Sequence, residues 1–331
     1  MKAVVVGSGG WGTALALALH RNGHSVVLWS HSREKAQQVN KSRENPMLPG
    51  IRLPEGLLVT GEDSCVAGCG LVVIASPSVH IRSVCRRIAP YLDETVVMVS
   101  VTKGIEPDTF FRMSQIVGEE TQRSVVALTG PSHAEEVARQ IPTGCLAACA
   151  DKALAEKVQD AFMSETFRIY TSPDVIGAEL GGALKNVIAL CAGVIDGLGY
   201  GDNTLAMLMT RGLTEIARLG ISLGAKRDTF AGLAGIGDLI VTCTSNHSRN
   251  RRAGVMLGQG MLPEQALISA GGTVEGYYAA RSVYALSKKM GVEMPIVEAA
   301  YQVLYQGVSA SDAVAQLLHR QKRPELDSVW Q

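Results

Sequence analysis

The residues best suited to proton chemistry are lysines in apolar settings. Lys185 sits in Glu179-Leu180-Gly181-Gly182-Ala183-Leu184-Lys185-Asn186, a segment predicted to be an otherwise apolar helix running on through Leu190. Ile188 and Ala189, three and four positions on, leave it on a largely apolar surface, where desolvation readily shifts a lysine pKa; the same spacing also fits a lysine facing water. Lys103 follows a strand-like run in Ser100-Val101-Thr102-Lys103-Gly104, so its ammonium either emerges at the ligand edge of a sheet or is a solvated surface charge. Asp238 closes Ala231-Gly232-Leu233-Ala234-Gly235-Ile236-Gly237-Asp238 and is a candidate ion partner for Lys185. Ser248, Arg249 and Asn250 together suit an isolated phosphate, because a guanidinium presents a rigid fork to phosphate oxygens. Arg251 and Arg252 fit a solvated, helix-capping face. Gly130-Pro131-Ser132 is predicted to open a helix, where free amides hold anions or Ser132 serves as a plain N-cap. Glu275, in Gly271-Gly272-Thr273-Val274-Glu275-Gly276, reads by spacing as a loop acid.

A second chemistry lies at the start of the chain. Val4-Val5-Val6 runs into Gly7-Ser8-Gly9-Gly10-Trp11-Gly12, followed by helix-like Thr13 to Leu19 and a second strand-like run ending at Trp29. GxGxxG between strand and helix binds a dinucleotide: Gly7 turns tightly, Gly9 admits the pyrophosphate, and Gly12 lets helix pack on strand. After the second strand the chain reads Ser30-His31-Ser32-Arg33, with no acid placed for a ribose 2′-hydroxyl before Glu34. His31, Ser32 and Arg33 suit a 2′-phosphate, so NADPH is expected to be favoured over NADH.

The elements that must position these groups change near the middle. Ala3–Val6, Val26–Trp29, Leu71–Ala75, Val96–Val101, Val125–Leu128 and Gly144–Ala150 alternate with amphipathic stretches, the βαβ pattern of a parallel sheet. From about Gly177 helical periodicity takes over, as in Leu205, Leu208, Met209, Leu213, Ile216 and Leu219. The expected architecture is an α/β N-terminal Rossmann-like parallel sheet (residues 1–180) plus an all-α C-terminal domain (181–331) carrying substrate and catalysis. No Pro/Ser-rich linker separates them, so a close-packed cleft is expected.

With 331 residues, 47% hydrophobic and 19% charged, the chain has a globular composition and the length of two domains. Its 31 basic and 31 acidic residues cancel, which argues against bulk binding to nucleic acid or an anionic membrane. Glycines interrupt both the apolar start and the best candidate span near Gly193, so no stable membrane insertion and a cytoplasmic location are expected. Seven cysteines without CxxC spacing read as buried thiols, and no His/Cys/carboxylate cluster offers a metal site.

The ordered set GSGGWGTALA, VTKG, GPSHAEE, GGALKNVIAL, AGIGDLIVTC, SRNRR and VEGY resembles the bacterial-type NAD(P)-dependent glycerol-3-phosphate dehydrogenases, through both halves to about residue 310. The resemblance implies reversible reduction of dihydroxyacetone phosphate to sn-glycerol 3-phosphate for glycerophospholipid synthesis, and a homodimer. It implies Lys185 as catalytic acid and base, with Lys103, Gly130, Ser132, Asp238, Ser248, Arg249 and Asn250 contacting substrate. Implied cofactor contacts are Gly10, Trp11, His31, Arg33, Lys103, Ala134, Arg249, Thr273 and Glu275. Ser132 stands where the family often has Thr, which keeps the hydroxyl, and Thr273 where the family is often aliphatic. A β-hydroxyacid dehydrogenase, favouring a carboxylate substrate, and a non-catalytic NADPH sensor are the alternatives; the sensor has no reason for Lys185, Asp238 and Arg249 together.

Overall fold

A computed structural model of the chain describes residues 1–322, 324 and 325; the remaining positions at the end of the expected second unit lie outside the described residues. Eight strands form one sheet: β1 (Lys2–Val6), β2 (Ser25–Trp29), β3 (Leu58–Thr60), β4 (Leu71–Ile74), β5 (Val97–Ser100), β6 (Val125–Thr129), β7 (Thr143–Ala148) and β8 (Phe167–Ser172). Their order is β3-β2-β1-β4-β5-β6-β7-β8. Neighbours are parallel, Val4 pairing with Val27 and Val72, except that β7 runs antiparallel to β6. The sheet is therefore mostly parallel, as expected of a Rossmann-like half, with the short helix Ala134–Ala138 in the connection that leads into the reversed strand.

The β-branched runs form central strands because both faces are covered. Val4 and Val6 point into a cluster with Val72, Ile74 and Met98, while Ala3 and Val5 point into another with Leu15, Leu19 and Leu28. β8 was not anticipated. Its Phe167 and Ile169 are buried while Arg168 and Tyr170 are exposed, the alternation of a one-sided edge strand that polar residues disguise.

The second half is helical, around the helix Val175–Gly197. This helix is buried nearly all round, so it is apolar and long enough to cross a membrane yet serves as a core. Against it lies the helix Arg249–Gly258, so close that a Cβ on Gly193 would sit 2.0 Å from the Arg251 carbonyl oxygen. Position 180, the expected division of the chain, falls within the long helix. The two halves are tied by bonds between them: Glu179 accepts from the Ser114 amide at 2.7 Å and pairs with Arg112.

Candidate active site

The turn after β1 is shaped for close approach. Gly7 has φ +128°, and a Cβ on Gly12 would lie 1.9 Å from the Gly7 carbonyl oxygen. The helix Gly10–Arg21 starts beside it, and above its N-cap, Gly9, a Cβ would meet nothing within 4 Å. Free amides at a helix start, with room above them, are what a pyrophosphate requires, so these residues fit a dinucleotide. Trp11 packs on the sheet core, and Ala134 lies 3.7 Å from where a Gly10 Cβ would be.

At the end of β2, His31, Ser32 and Arg33 line a cavity of about 440 Å³. Arg33 pairs with Glu62 at 2.9 Å, an acid that no local pattern connected to it. Ser32 is used by the protein itself: its hydroxyl caps the helix Arg33–Ser42 by accepting from the Lys35 amide, and donates to Glu34 at 2.7 Å. Arg33 is thus the cation of this cavity's β2 edge, with the His31 imidazole beside it.

The lysines converge from opposite halves. Lys185, 5% exposed, comes from the long helix, and its Nζ donates to Asp238 Oδ1 at 2.5 Å and to Thr242 Oγ1. Lys103, beyond the end of β5, donates to the other carboxylate oxygen, Asp238 Oδ2, at 2.6 Å and to the Gly130 carbonyl at 3.2 Å. Asp238 begins the helix Asp238–Thr244 straight after a π-helical turn, Leu233–Gly237, which delivers it 1% exposed between the ammonium groups. Burial pulls the Lys185 pKa down to about 8; the Asp238 carboxylate opposes that pull and the Lys103 charge adds to it. Thr242 was missed, although it stands one helical turn after Asp238 and donates back to the Asp238 carbonyl at 2.6 Å.

Ser132 joins this cluster but opens no helix, which corrects the capping expectation. The helix starts later, at Ala134, because Ser132 is still in the turn and gives its hydroxyl to the Gly130 carbonyl at 3.0 Å.

A second polar group extends from the lysines toward Arg249. Asn250 donates to Asn186 at 3.0 Å and accepts from the Gly276 amide at 2.8 Å, so the residue beside Lys185 is fixed by the segment that carries Arg249. Ser248 caps the helix Arg249–Gly258, accepting from the Arg251 amide at 3.2 Å. Arg249 lies against Gly272, where a Cβ would be 2.8 Å from its Nη1. Thr273 is half-buried in the same loop. Glu275 crosses to the first half, where the Ser78 hydroxyl donates to it at 2.6 Å, and burial pushes its pKa up. Ser78 lies 197 positions away, so only the tertiary structure reveals it as a partner. Arg251 and Arg252 face away: Arg251 pairs with Asp196 at 2.7 Å, and Arg252 bonds the Asn246, His247 and Ala270 carbonyls.

Similarity to known proteins extends over both halves. Residues 2–155 match the family model for the N-terminus of NAD-dependent glycerol-3-phosphate dehydrogenase, and residues 174–315 match that for its C-terminus. The glycerol-3-phosphate dehydrogenase [NAD(P)+] of Pelotomaculum thermopropionicum is 51% identical over 99% of this chain and 96% of that protein. The protein of the same name from Geobacillus kaustophilus is 51% identical over 98% and 96%. The crystal structure of glycerol-3-phosphate dehydrogenase from Coxiella burnetii superposes with a TM-score of 0.93, at 36% identity, covering 96% of this chain and 99% of that one. A dinucleotide cradle, a two-lysine carboxylate cluster and full-length similarity converge on one conclusion: the chain is an NAD(P)-dependent oxidoreductase that belongs to the NAD-dependent glycerol-3-phosphate dehydrogenase family.

Proposed function

We propose that the chain catalyses reversible hydride transfer between NAD(P)H and dihydroxyacetone phosphate, giving sn-glycerol 3-phosphate, with Lys185 as proton donor and acceptor. The observation that carries this reading is the single buried carboxylate of Asp238 bridging Lys185 and Lys103 where the strand ends meet the helical half. When bound, the nicotinamide cofactor supplies or accepts the hydride. Gly7, Gly9, Gly10, Trp11 and Gly12 would hold it, with His31 and Arg33 toward its adenosine end and Ala134, Thr273 and Glu275 as further contacts. Residues 1–180 carry most of this cofactor role and 181–331 the phosphate grip and the proton-transferring lysine, with Thr273 and Glu275 reaching the cofactor from the second unit and Lys103, Gly130 and Ser132 reaching the substrate from the first.

The rest of the chemistry falls to side chains. Arg249, flanked by Ser248 and Asn250, grips the substrate phosphate, and that remote binding energy positions the ketone over Lys185. Gly130 and Ser132 line the same end. As hydride arrives at the carbon, the Lys185 ammonium gives a proton to the developing alkoxide, and Lys103 stabilises the charge from the other side. In the opposite direction the neutral Lys185 amine takes the alcohol proton. Asp238 holds both ammonium groups in place.

His31 and Arg33 support NADPH as the favoured cofactor. The relatives' printed names support the substrate. Family resemblance supports a cytoplasmic homodimer that supplies glycerophospholipid synthesis. The deciding assay is loss of NADPH absorbance on adding dihydroxyacetone phosphate, with NADH and unphosphorylated dihydroxyacetone alongside. Turnover that requires the phosphate is expected; turnover of a hydroxy acid instead, or none with cofactor bound, overturns the reading. A KM for NADH at or below that for NADPH removes the cofactor preference.

A further inference from the structure

A second basic site lies at the far end of the helix Gly10–Arg21. Twelve residues at 1.5 Å rise place that end about 16 Å from the glycine turn. There His20, Arg21, Arg43 and Arg52 line one cavity of about 470 Å³, floored by Leu17 and Leu53. None of the four makes an ion pair among the described residues. Glu55 lines the same cavity and is also without one. The guanidinium groups are held by carbonyl oxygens instead: Arg21 donates to Ala138 at 2.7 Å, and Arg43 donates to Pro54 and, at 3.0 Å, to Leu57. Carbonyl dipoles fix a guanidinium without cancelling its charge, so the cavity keeps an excess of positive charge in a chain whose net charge is zero. Two buried nitrogens of lining residues, His20 Nδ1 and Arg43 Nε, have no hydrogen-bond partner, a state proteins rarely leave without a reason. The negative end of the helix dipole accounts for His20 and Arg21 in its last turn. It does not account for Arg43 and Arg52, which arrive from the segment 43–57.

We propose that this cavity is an anion site for a small phosphate-bearing molecule, separate from the catalytic cleft. Planar guanidinium forks arriving from two segments are the donor set that phosphate oxygens select. The occupant also reaches the cofactor turn indirectly. Arg43 precedes by two residues Asn45, whose side chain donates to the Ser8 carbonyl at 2.9 Å and to Thr13 at 2.7 Å. An anion bridging Arg21 to Arg52 therefore clamps the segment 43–57 onto the helix whose other end carries the glycine turn.

Inorganic phosphate is the first probe, titrated calorimetrically into NADPH-saturated Arg249→Ala protein. Cofactor then fills the glycine turn, and the catalytic phosphate contact is gone. One phosphate is expected to bind, and Arg52→Glu in that background weakens it about tenfold or more, the scale of a charged hydrogen bond. Adding Arg21→Ser removes it. Arg52→Glu alone, made at an exposed side chain with no hydrogen bond or ion pair among the described residues, keeps Tm and kcat unchanged. Phenyl phosphate is the second probe: tighter binding than inorganic phosphate assigns the site to monoesters, and equal binding assigns it to free phosphate. The proposal fails if the NADPH-saturated Arg249→Ala protein binds neither probe, or if Arg52→Glu leaves their binding unchanged.

Discussion

At the scale of single residues, the proposed reaction rests on where one proton resides. Lys185 titrates near 8 because burial disfavours its charge more than Asp238 restores it. Below that pH it is an ammonium and can donate; above it, it is an amine and can accept. Ketone reduction should therefore fall as pH rises through about 8, while alcohol oxidation rises over the same interval. Asp238→Asn removes the influence that holds the Lys185 pKa up, so both limbs should move to lower pH, as pH profiles of kcat/KM would show. A profile that stays in place would separate Asp238 from the titration of Lys185. Lys185→Ala should lower kcat by at least ~10², with cofactor binding retained by fluorescence titration. Part of this was legible in the sequence, because Lys185 interrupts an otherwise apolar helical segment and Asp238 closes a glycine-rich run as its candidate ion partner, while which way the lysine faces is settled only by packing. Thr242 and Ser78 were not legible as partners, since a hydroxyl has no preferred burial and its role is set by what folds against it.

At the scale of elements, the site depends on helices approaching closer than side chains normally allow. The contact of the helices Val175–Gly197 and Arg249–Gly258 aligns Asn186 with Asn250. Gly193→Val would put a side chain where the Arg251 carbonyl now lies 2.0 Å from a Cβ position. The prediction is destabilisation of at least about 1–3 kcal/mol by overpacking, with a raised KM for the phosphorylated substrate. Chemical unfolding and steady-state kinetics check it together. Unchanged stability would show that the neighbouring helix yields freely. The strands β1, β4 and β5 were readable as unbroken apolar runs, for both their faces are covered. The short β3 and the edge strand β8 were not, because exposed residues break both into patterns too short or too polar to stand out as a continuous apolar run.

At the scale of the whole molecule, stability carries its own pH signature away from the catalytic lysine. Glu215, on the helix Asp202–Ser222, accepts from the Ile296 amide at 2.9 Å and the Val297 amide at 3.3 Å, at the start of the helix Pro295–Tyr305. Burial raises its pKa to about 7, partly offset by those amides. A carboxyl that keeps its proton longer when folded favours the folded state fully below its ordinary value near 4.5, and that favour is lost as pH rises through about 7. Glu215→Gln cannot ionise. Its Tm relative to the parent should therefore climb by roughly 2–4 °C or more between pH 5 and pH 8, measured by calorimetry at both. A pH-independent difference would contradict it.

The Asp238 bridge has a further consequence. One carboxylate answers two ammonium groups, so while Lys185 is protonated this cluster holds one positive charge more than Asp238 neutralises. The reaction creates one negative charge, on the oxygen of the former ketone. The counter-ion for that oxygen is thus installed before any substrate arrives, and the substrate itself completes the balance. Since the chain as a whole is neutral, its net charge adds nothing to the attraction of a phosphorylated molecule, and the pull is that of the cleft itself. Selection happens on contact, where the oxygen that is about to become charged meets the charge left over.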